Sequence, residues 1–261
     1  MSENGVFGSR AVLLGHRGCG RGVVAGHLEN TLESFLAAVD LGIDWVEVDV
    51  RRTHDDLLVV AHHPADEDGV FYADISGAEA SDRGALRLDV LLEALPPRVG
   101  VDFDVKTSME DATRDRARTT MGRLAPVAAR EGRRRPVLVT SFDPSALDIA
   151  REIAPGAPRG LLTWLDFPVG HAVAAAGHLD VQVLAVHWGS LRPNPVEPEP
   201  LQRPLSYVID LVHGSGREFL AWCPGRRFAG ELLSAGVDAL CVNHVPTFLQ
   251  ELTEGAARRS G

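Results

Sequence analysis

The chain alternates short apolar runs with longer segments whose apolar residues recur at helical spacing. The short runs predict nine strands, which are Ala11–Gly15, Trp45–Val50, Leu57–Ala61, Gly100–Val105, Val137–Ser141, Arg159–Thr163, Gln182–His187, Glu218–Trp222 and Ala239–Val242. The longer segments predict helices at Thr31–Leu41, Leu88–Leu95, Glu110–Ala129, Pro144–Ile153, Pro168–Ala176, Pro204–Gly214, Arg226–Ala235 and Pro246–Leu252. Strands that alternate with helices are typical of a parallel sheet covered by helices.

Nine strands are one more than an eightfold barrel needs, and the segment RRTHDDLLVVAHH accounts for the extra one. Its Asp55-Asp56 turn is too short for a parallel crossover, so the second and third strands are predicted to form an antiparallel hairpin. The other eight predict an α/β fold, a TIM (βα)8 barrel with an extra hairpin strand after the second strand. An open doubly wound sheet is the alternative. It is less favoured because no Gly-x-Gly-x-x-Gly follows the first strand.

The strand–helix rhythm continues through the proline-rich stretch 192–204, so residues 1–261 are predicted to form a single domain. The formal net charge of -10 argues against a nucleic-acid partner. It also means that an anionic substrate would need a metal ion or a cluster of basic side chains at the site. Three widely spaced cysteines indicate neither a disulfide framework nor a thiolate zinc site.

The first residues, MSENGVFGSR, lack the pattern of a signal peptide, and no apolar stretch reaches the roughly 20 residues that span a bilayer. A cytoplasmic protein without stable membrane insertion is therefore expected. The pattern leaves the oligomeric state open.

Carboxylates occur at alternate positions of two predicted strands. Glu47 and Asp49 share one face of their strand, and Asp104 and Lys106 share one face of another. Buried carboxylates are costly unless they are paired or bind a cation, and the active sites of barrels lie at the carboxyl ends of the strands. We therefore expect a shared cation, with internal salt bridges as the alternative. An all-oxygen set of ligands suits Mg²⁺ or Ca²⁺.

Histidines follow two predicted strands, His16 in the sequence GHRG and His62 in AHH. One imidazole can accept a proton while another delivers one, which is what cleavage of a stable ester requires. In ENT (29–31), Asn30 or Thr31 is suited to cap the next helix, and we favour Glu29 as a further cation ligand. Trp222 ends a strand, where its ring is placed either to pack in the core or to line a binding site.

Several motifs in a fixed order together resemble the glycerophosphodiester phosphodiesterase family. They are HRG (16–18), ENT (29–31), ExD (47–49), the Asp55-Asp56 hairpin that ends in His62-His63, and DVK (104–106). Downstream, VTSFDP (139–144), FLAWCP (219–224) and GVDALCVNHVP (236–246) correspond to later segments of the family. The resemblance extends over nearly the entire chain.

The resemblance implies a barrel that hydrolyses a glycerophosphodiester to sn-glycerol 3-phosphate and an alcohol. It implies one divalent cation, Mg²⁺ or Ca²⁺, held by Glu47, Asp49 and Asp104 with Glu29 nearby. It further implies that His16 and His62 are the acid–base pair, in an order that the motifs leave open, and that Arg17 and Lys106 lie close to the phosphate.

The chain departs from the family pattern at three places. His63 replaces an aspartate, Asp104 replaces a glutamate, and VNHVP (242–246) replaces a Thr-Asp-x-Pro ending. These departures affect the expected substrate more than the expected reaction. Two alternatives stay open, which are a lysophospholipase D-like phosphodiesterase and a barrel that binds a phosphate ester without cleaving it.

Overall fold

The computed structural model of the chain describes residues 5–199 and 201–250. Its strands, in chain order, are β1 Val12–His16, β2 Val23–Val24, β3 His27–Leu28, β4 Trp45–Arg52, β5 Leu58–Val60, β6 Leu86–Arg87, β7 Gly100–Val105, β8 Val137–Ser141, β9 Arg159–Thr163, β10 Val183–His187, β11 Glu218–Trp222 and β12 Ala239–Val242. Eight of them run parallel in the order β1, β4, β7, β8, β9, β10, β11, β12, and β12 pairs again with β1. This closed ring with helices between its strands confirms the predicted TIM barrel.

The helices, in chain order, are α1 Leu32–Asp40, α2 Gly77–Asp82, α3 Leu88–Ala94, α4 Thr120–Glu131, α5 Pro144–Ile153, α6 Val169–His178, α7 Leu205–Gly214 and α8 Arg226–Ala235. Local signals set several of their starts. The Thr31 hydroxyl caps α1 by accepting the N–H of Ser34, and Asp143 caps α5 just before its first-turn proline. Residues 245–250 are also helical, and the rest of the predicted helix 246–252 lies outside the described residues. Within residues 5–199 and 201–250, no helix has both the length and the apolar character needed to cross a membrane.

The extra strands lie outside the ring. β5 pairs antiparallel with β4, which confirms the predicted hairpin, and β6 adds a further antiparallel strand that the pattern did not predict. β2 and β3 form a second small hairpin in the loop after β1, around a turn at Ala25-Gly26 where both residues have positive φ. The three strands that were not predicted, β2, β3 and β6, have two residues each, which are too few for an alternating pattern to be detected.

The predicted helix 110–129 was wrong in its first half. Two 3₁₀ turns, Met109–Thr113 and Arg116–Arg118, occupy that half, and α4 begins only after them. The Thr119 hydroxyl accepts the N–H of Gly122 at 3.0 Å and caps α4. A threonine hydroxyl can accept a backbone N–H that would otherwise bond within a helix. A threonine inside a predicted helix therefore often marks the start of a helix, as Thr119 does here.

The barrel interior divides into an apolar half and a polar half. Leu14, Trp45, Leu138 and Leu220 pack inside the ring toward the amino ends of the strands. Two residues further along, the same inward faces carry polar and charged groups, among them Glu47. A larger apolar layer packs between the outer face of the ring and the helices. The two apolar layers pack against both faces of the strands and fix their positions. The polar half of the interior therefore lies at the carboxyl ends of the strands.

Gly100→Ala is expected to destabilise the protein because there is no space for a methyl group. A Cβ at this position would lie 2.3 Å from Cδ2 of Trp45, a ring that is held in turn by an edge contact with Phe7. Overpacking of this kind costs about 1–3 kcal/mol in the free energy of unfolding. Urea unfolding followed by circular dichroism measures the loss.

Gly230→Ala in α8 is the matched control, because a Cβ at this helical position meets nothing within 4 Å. It is expected to stabilise the protein by about 0.5–1 kcal/mol, since alanine loses less backbone entropy than glycine in a helix. Equal effects of the two changes would contradict this packing of Trp45.

Candidate active site

A cavity of about 740 Å³ opens at the carboxyl rim of the barrel. Of the residues predicted from the sequence to form the site, eight line it, which are His16, Arg17, Glu29, Glu47, His62, Asp104, Lys106 and Trp222. The ninth, Asp49, is fully buried and contacts the cavity-lining residues Arg17 and Lys106. Residues from β1, β4, β7 and β11 meet there because parallel strands end on the same side of the ring.

Three buried carboxylates form the centre of the cluster. Glu47, Asp49 and Asp104 each place an oxygen within 4.8 Å of the other two. Strand register explains this arrangement, since β4 pairs with β7 so that Asp49 lies opposite Asp104. Burial, together with the charges of Asp49 and Asp104, raises the pKa of Glu47 well above its usual range. The cluster therefore carries strong electrostatic repulsion.

The oxygens of this cluster fit a hard divalent cation. Glu47 Oε1 and Asp104 Oδ1 are buried and have no hydrogen-bond partner within the residues that the structure describes. Buried carboxylate oxygens without donors are costly, and a cation bound among them would satisfy them. With oxygen ligands alone, Mg²⁺ and Ca²⁺ are the ions that the set suits.

Two basic side chains enter the same cluster. Lys106 Nζ lies 2.9 Å from Asp49 Oδ1 and also contacts Asp104, and Arg17 Nε lies 3.1 Å from Asp49 Oδ2. Burial alone would raise the pKa of Asp49, but Lys106 and Arg17 outweigh it and hold that pKa well below its usual value. The internal salt bridges that were the alternative to a shared cation are thus present. They lie beside the unpartnered oxygens of Glu47 and Asp104.

Glu29 lies at the edge of this network. Its carboxylate accepts from Arg17 Nη1 at 2.7 Å and from the backbone N–H of Gly22. The next residue, Asn30, donates from Nδ2 to Asp49 at 2.9 Å. Glu29, Asp49 and Asp104 form ion pairs with the permanent cations Arg17 and Lys106. Within the described residues Glu47 forms an ion pair with neither cation, so the carboxylates of this network outnumber its permanent cations.

The two histidines have different environments. Burial lowers the pKa of His16, but Cys223 and Asp49 outweigh this, and the pKa is raised from its ordinary value. His16 Nε2 lies 3.8 Å from Glu47 Oε2. Burial lowers the pKa of His62 to about 4, against the opposing charge of Asp49. Both rings border the carboxylate cluster, in positions from which each can exchange a proton with a bound molecule.

The sequence patterns did not predict a role for Arg51, whose guanidinium donates from Nε at 3.1 Å and from Nη2 at 2.6 Å to the carbonyl of His62. This bidentate contact holds the backbone of His62 against β4. Position 51 continues the alternation of Glu47 and Asp49, which is the signal that could have revealed it.

Asn243 is a second residue without a predicted role, and its Oδ1 lies 2.5 Å from His16 Nδ1. In the sequence, the motif VNHVP is only a departure from the family pattern. No periodicity connects residues that are 227 positions apart, so this contact had no local signal.

Aromatic rings form one wall of the cavity. Phe142 and Trp164 stack with ring centroids 3.9 Å apart, and Trp222 meets Phe142 edge-on at 5.9 Å and His187 at 4.4 Å. Trp164 is 62% exposed, so this wall reaches solvent at the rim. Lys106 Nζ lies 5.6 Å from the centroid of the Phe142 ring, so apolar surface lies beside the charged cluster. This suits a ligand with one anionic and one less polar end.

Residues 16–68 match the model of the glycerophosphoryl diester phosphodiesterase family. A glycerophosphocholine phosphodiesterase of Eremothecium gossypii is 44% identical over 54 residues, which are 19% of this chain. The matched segment is only 4% of the length of that relative.

Two solved structures share the fold over nearly the whole chain. A glycerophosphodiester phosphodiesterase of Thermotoga maritima is 21% identical with a TM-score of 0.69, covering 93% of this chain and 98% of its own. A phosphodiesterase of Oleispira antarctica in complex with the product sn-glycerol-3-phosphate is also 21% identical, with a TM-score of 0.73 and coverage of 94% and 97%. The family match over residues 16–68 and the shared fold confirm the resemblance of this chain to the glycerophosphodiester phosphodiesterase family.

Proposed function

We propose that this protein hydrolyses glycerophosphodiesters to sn-glycerol 3-phosphate and an alcohol, as a phosphoric diester hydrolase that uses one divalent cation. The observation that carries the proposal is the cluster of Glu47, Asp49 and Asp104, with oxygens within 4.8 Å of one another in a cavity that His16 and His62 also line. Most of these residues lie in the segment that matches the family. The product named in the Oleispira antarctica structure supports the same reaction.

Glu47, Asp49 and Asp104 would hold the cation, with Glu29 close by through Arg17. When bound, Mg²⁺ or Ca²⁺ would supply Lewis-acid polarisation of the phosphate. Arg17 and Lys106 border the cluster as fixed positive charges, and they offset the repulsion between the carboxylates and an anionic phosphodiester.

His16 and His62 supply the proton transfers. One takes a proton from the attacking hydroxyl while the P–O bond forms, and the other gives a proton to the alcohol oxygen as its bond to phosphorus breaks. If the attacking group is a glycerol hydroxyl, the first product is a cyclic phosphate that water then opens. If the attacking group is water, the two final products form directly. Trp222 and the rest of the aromatic wall would contact carbon atoms of the substrate.

An assay of glycerol 3-phosphate release from glycerophosphocholine and glycerophosphoethanolamine, each with and without EDTA, tests this function. Release that depends on a divalent cation supports it. No release from any glycerophosphodiester, with cation present and the protein folded, would contradict it and favour a barrel that binds a phosphate ester without cleaving it.

A lysophospholipid is the second candidate substrate, and the exposed rim favours it. Trp164, which lines the cavity, and its chain neighbour Leu165 are 62% and 56% exposed, and an acyl chain could lie against them. Choline release from lysophosphatidylcholine above that from glycerophosphocholine would support this alternative. The double variant Trp164→Ser/Leu165→Ser is then expected to lower the first activity more than the second.

Lys106→Arg is expected to lower kcat at least ~10-fold, equivalent to ~1.4 kcal/mol of transition-state stabilisation. Lys106 is the only lysine of the chain, and its ammonium lies between Asp49 and Asp104. A guanidinium is broad and planar, so it would displace the carboxylates that are proposed to hold the cation. Steady-state kinetics at saturating substrate and cation measures the change.

Lys106→Met is the companion variant, since it removes the charge and keeps much of the stem. We expect it to lose more activity than Lys106→Arg. Turnover and unfolding free energy of Lys106→Arg both equal to those of the parent would contradict this role of the lysine.

A further inference from the structure

The imidazole of His16 is held at Nδ1, the ring nitrogen that does not face Glu47, by the neutral side-chain amide of Asn243. Asn243 Oδ1 lies 2.5 Å from Nδ1 of His16. Cys223 Sγ lies 3.3 Å from the same oxygen and 3.5 Å from the same ring nitrogen. A thiol donates to an oxygen, and an amide oxygen only accepts. The oxygen therefore faces two donors, and Nδ1 of His16 carries the hydrogen of this bond. In the neutral ring the lone pair is then on Nε2, the nitrogen that faces Glu47 at 3.8 Å.

The backbone at Asn243 is held as firmly as its side chain. Its carbonyl accepts the N–H of Arg21 at 3.2 Å, and the following residue, His244, forms a bridge with Gly20. A Cβ at Gly20 would lie 2.0 Å from the Asn243 carbonyl oxygen, and the φ of Gly20 is 142°. Glycine is required at this approach. The loop that follows β1 and His16 is thereby joined to the loop that follows β12 and carries Asn243.

We propose that Asn243 is a positioning residue, which fixes the tautomer and the ring orientation of His16 so that Nε2 faces the carboxylate cluster. The proposal rests on the proposed function insofar as it assigns His16 a proton transfer. A neutral amide suits this position because the neighbouring network of Glu29, Glu47, Asp49 and Asp104 already has an excess of negative charge. An aspartate would hold the same hydrogen and add another negative charge.

The tautomer is tested directly by NMR of the 15N-histidine-labelled full chain, at a pH high enough that the 15N chemical shifts of His16 show a neutral ring. The His16 signals are identified by their absence in His16→Gln. We expect the parent and Asn243→Asp to show a protonated Nδ1 and an unprotonated Nε2, and Asn243→Leu to show a mixture of the two tautomers. A parent His16 protonated at Nε2, or an Asn243→Leu spectrum equal to that of the parent, overturns the proposal.

Kinetics of the same variants provides a second test. Asn243→Leu is expected to lower kcat about 10–100-fold with KM changed less than about twofold, as for other groups that orient an active imidazole. Asn243→Asp keeps an acceptor for Nδ1. The logarithm of its fold-loss in kcat is expected to be at most two thirds of that of Asn243→Leu. Equal losses in the two variants, or a loss in KM alone, count against a positioning role.

The variants are compared by urea unfolding, so that a loss of fold is separated from a loss of orientation. If Asn243→Leu does not fold, the NMR comparison of the parent with Asn243→Asp and the kinetics of Asn243→Asp decide the proposal. A folded parent that hydrolyses no glycerophosphodiester contradicts the proposed function instead, and the NMR spectrum of that protein still supports or overturns the tautomer.

Discussion

Replacement of His16 or His62 by glutamine is expected to lower kcat by about 10²–10⁴-fold, the range typical of a lost general acid or base. Both rings line the cavity beside the carboxylate cluster, and glutamine keeps hydrogen-bonding capacity but cannot carry the proton. Because the two act in one proton-transfer sequence, the double variant is expected to lose little more than either single variant. Release of glycerol 3-phosphate at saturating substrate measures all three.

His178→Gln is the control for these changes, since His178 lies exposed on α6 and bonds to the carbonyl of Ala174. Its kcat should equal that of the parent. Folding of each variant is checked by the midpoint of urea unfolding. A folded His16→Gln or His62→Gln variant with more than about a tenth of the parental kcat would argue against the acid–base pair.

Removal of divalent cations is expected to abolish turnover and to destabilise the folded protein. Without a cation, Glu47, Asp49 and Asp104 repel one another, and burial with Asp49 and Asp104 raises the pKa of Glu47. A cation that binds only the folded state at 100 times its Kd stabilises that state by about 2.7 kcal/mol. Thermal melting with EDTA, with Mg²⁺ and with Ca²⁺ measures this stabilisation, and the same samples give the activity.

Glu47→Gln and Asp104→Asn separate a bound cation from a general salt effect. Each is expected to remove most of the increase in Tm caused by the metal and to lower kcat, because one anionic ligand is lost. Asp68→Asn is the control, since Asp68 contacts Arg83 at the surface, away from the cavity. An EDTA-treated parent with full activity and an unchanged Tm would rule out the cation site.

The strands of the barrel were predictable because each is buried on both faces and reads as a continuous apolar run. Acidic residues that interrupt these apolar runs helped to predict the site. Glu47, Asp49 and Asp104 are acidic residues in such runs, and period-two spacing assigned the first two to one face before any contact was known. The helix at 110–129 failed for the opposite reason, because Thr119 starts a helix through its side chain and apolar periodicity does not register this signal.

The order of elements and the identity of the polar residues at strand ends follow from local spacing, because apolar periodicity, helix caps and turns depend on residues that are near one another in the chain. Closure of the ring decided the rest. It placed β12 beside β1, and so brought Asn243 to His16 across 227 positions. The pairing of β4 with β7 placed Lys106 between carboxylates of two strands. Contacts of this kind depend on the register of strands that are distant in the chain. Only the packed barrel sets that register, since no residue near His16 in the chain encodes which side chain will meet its ring.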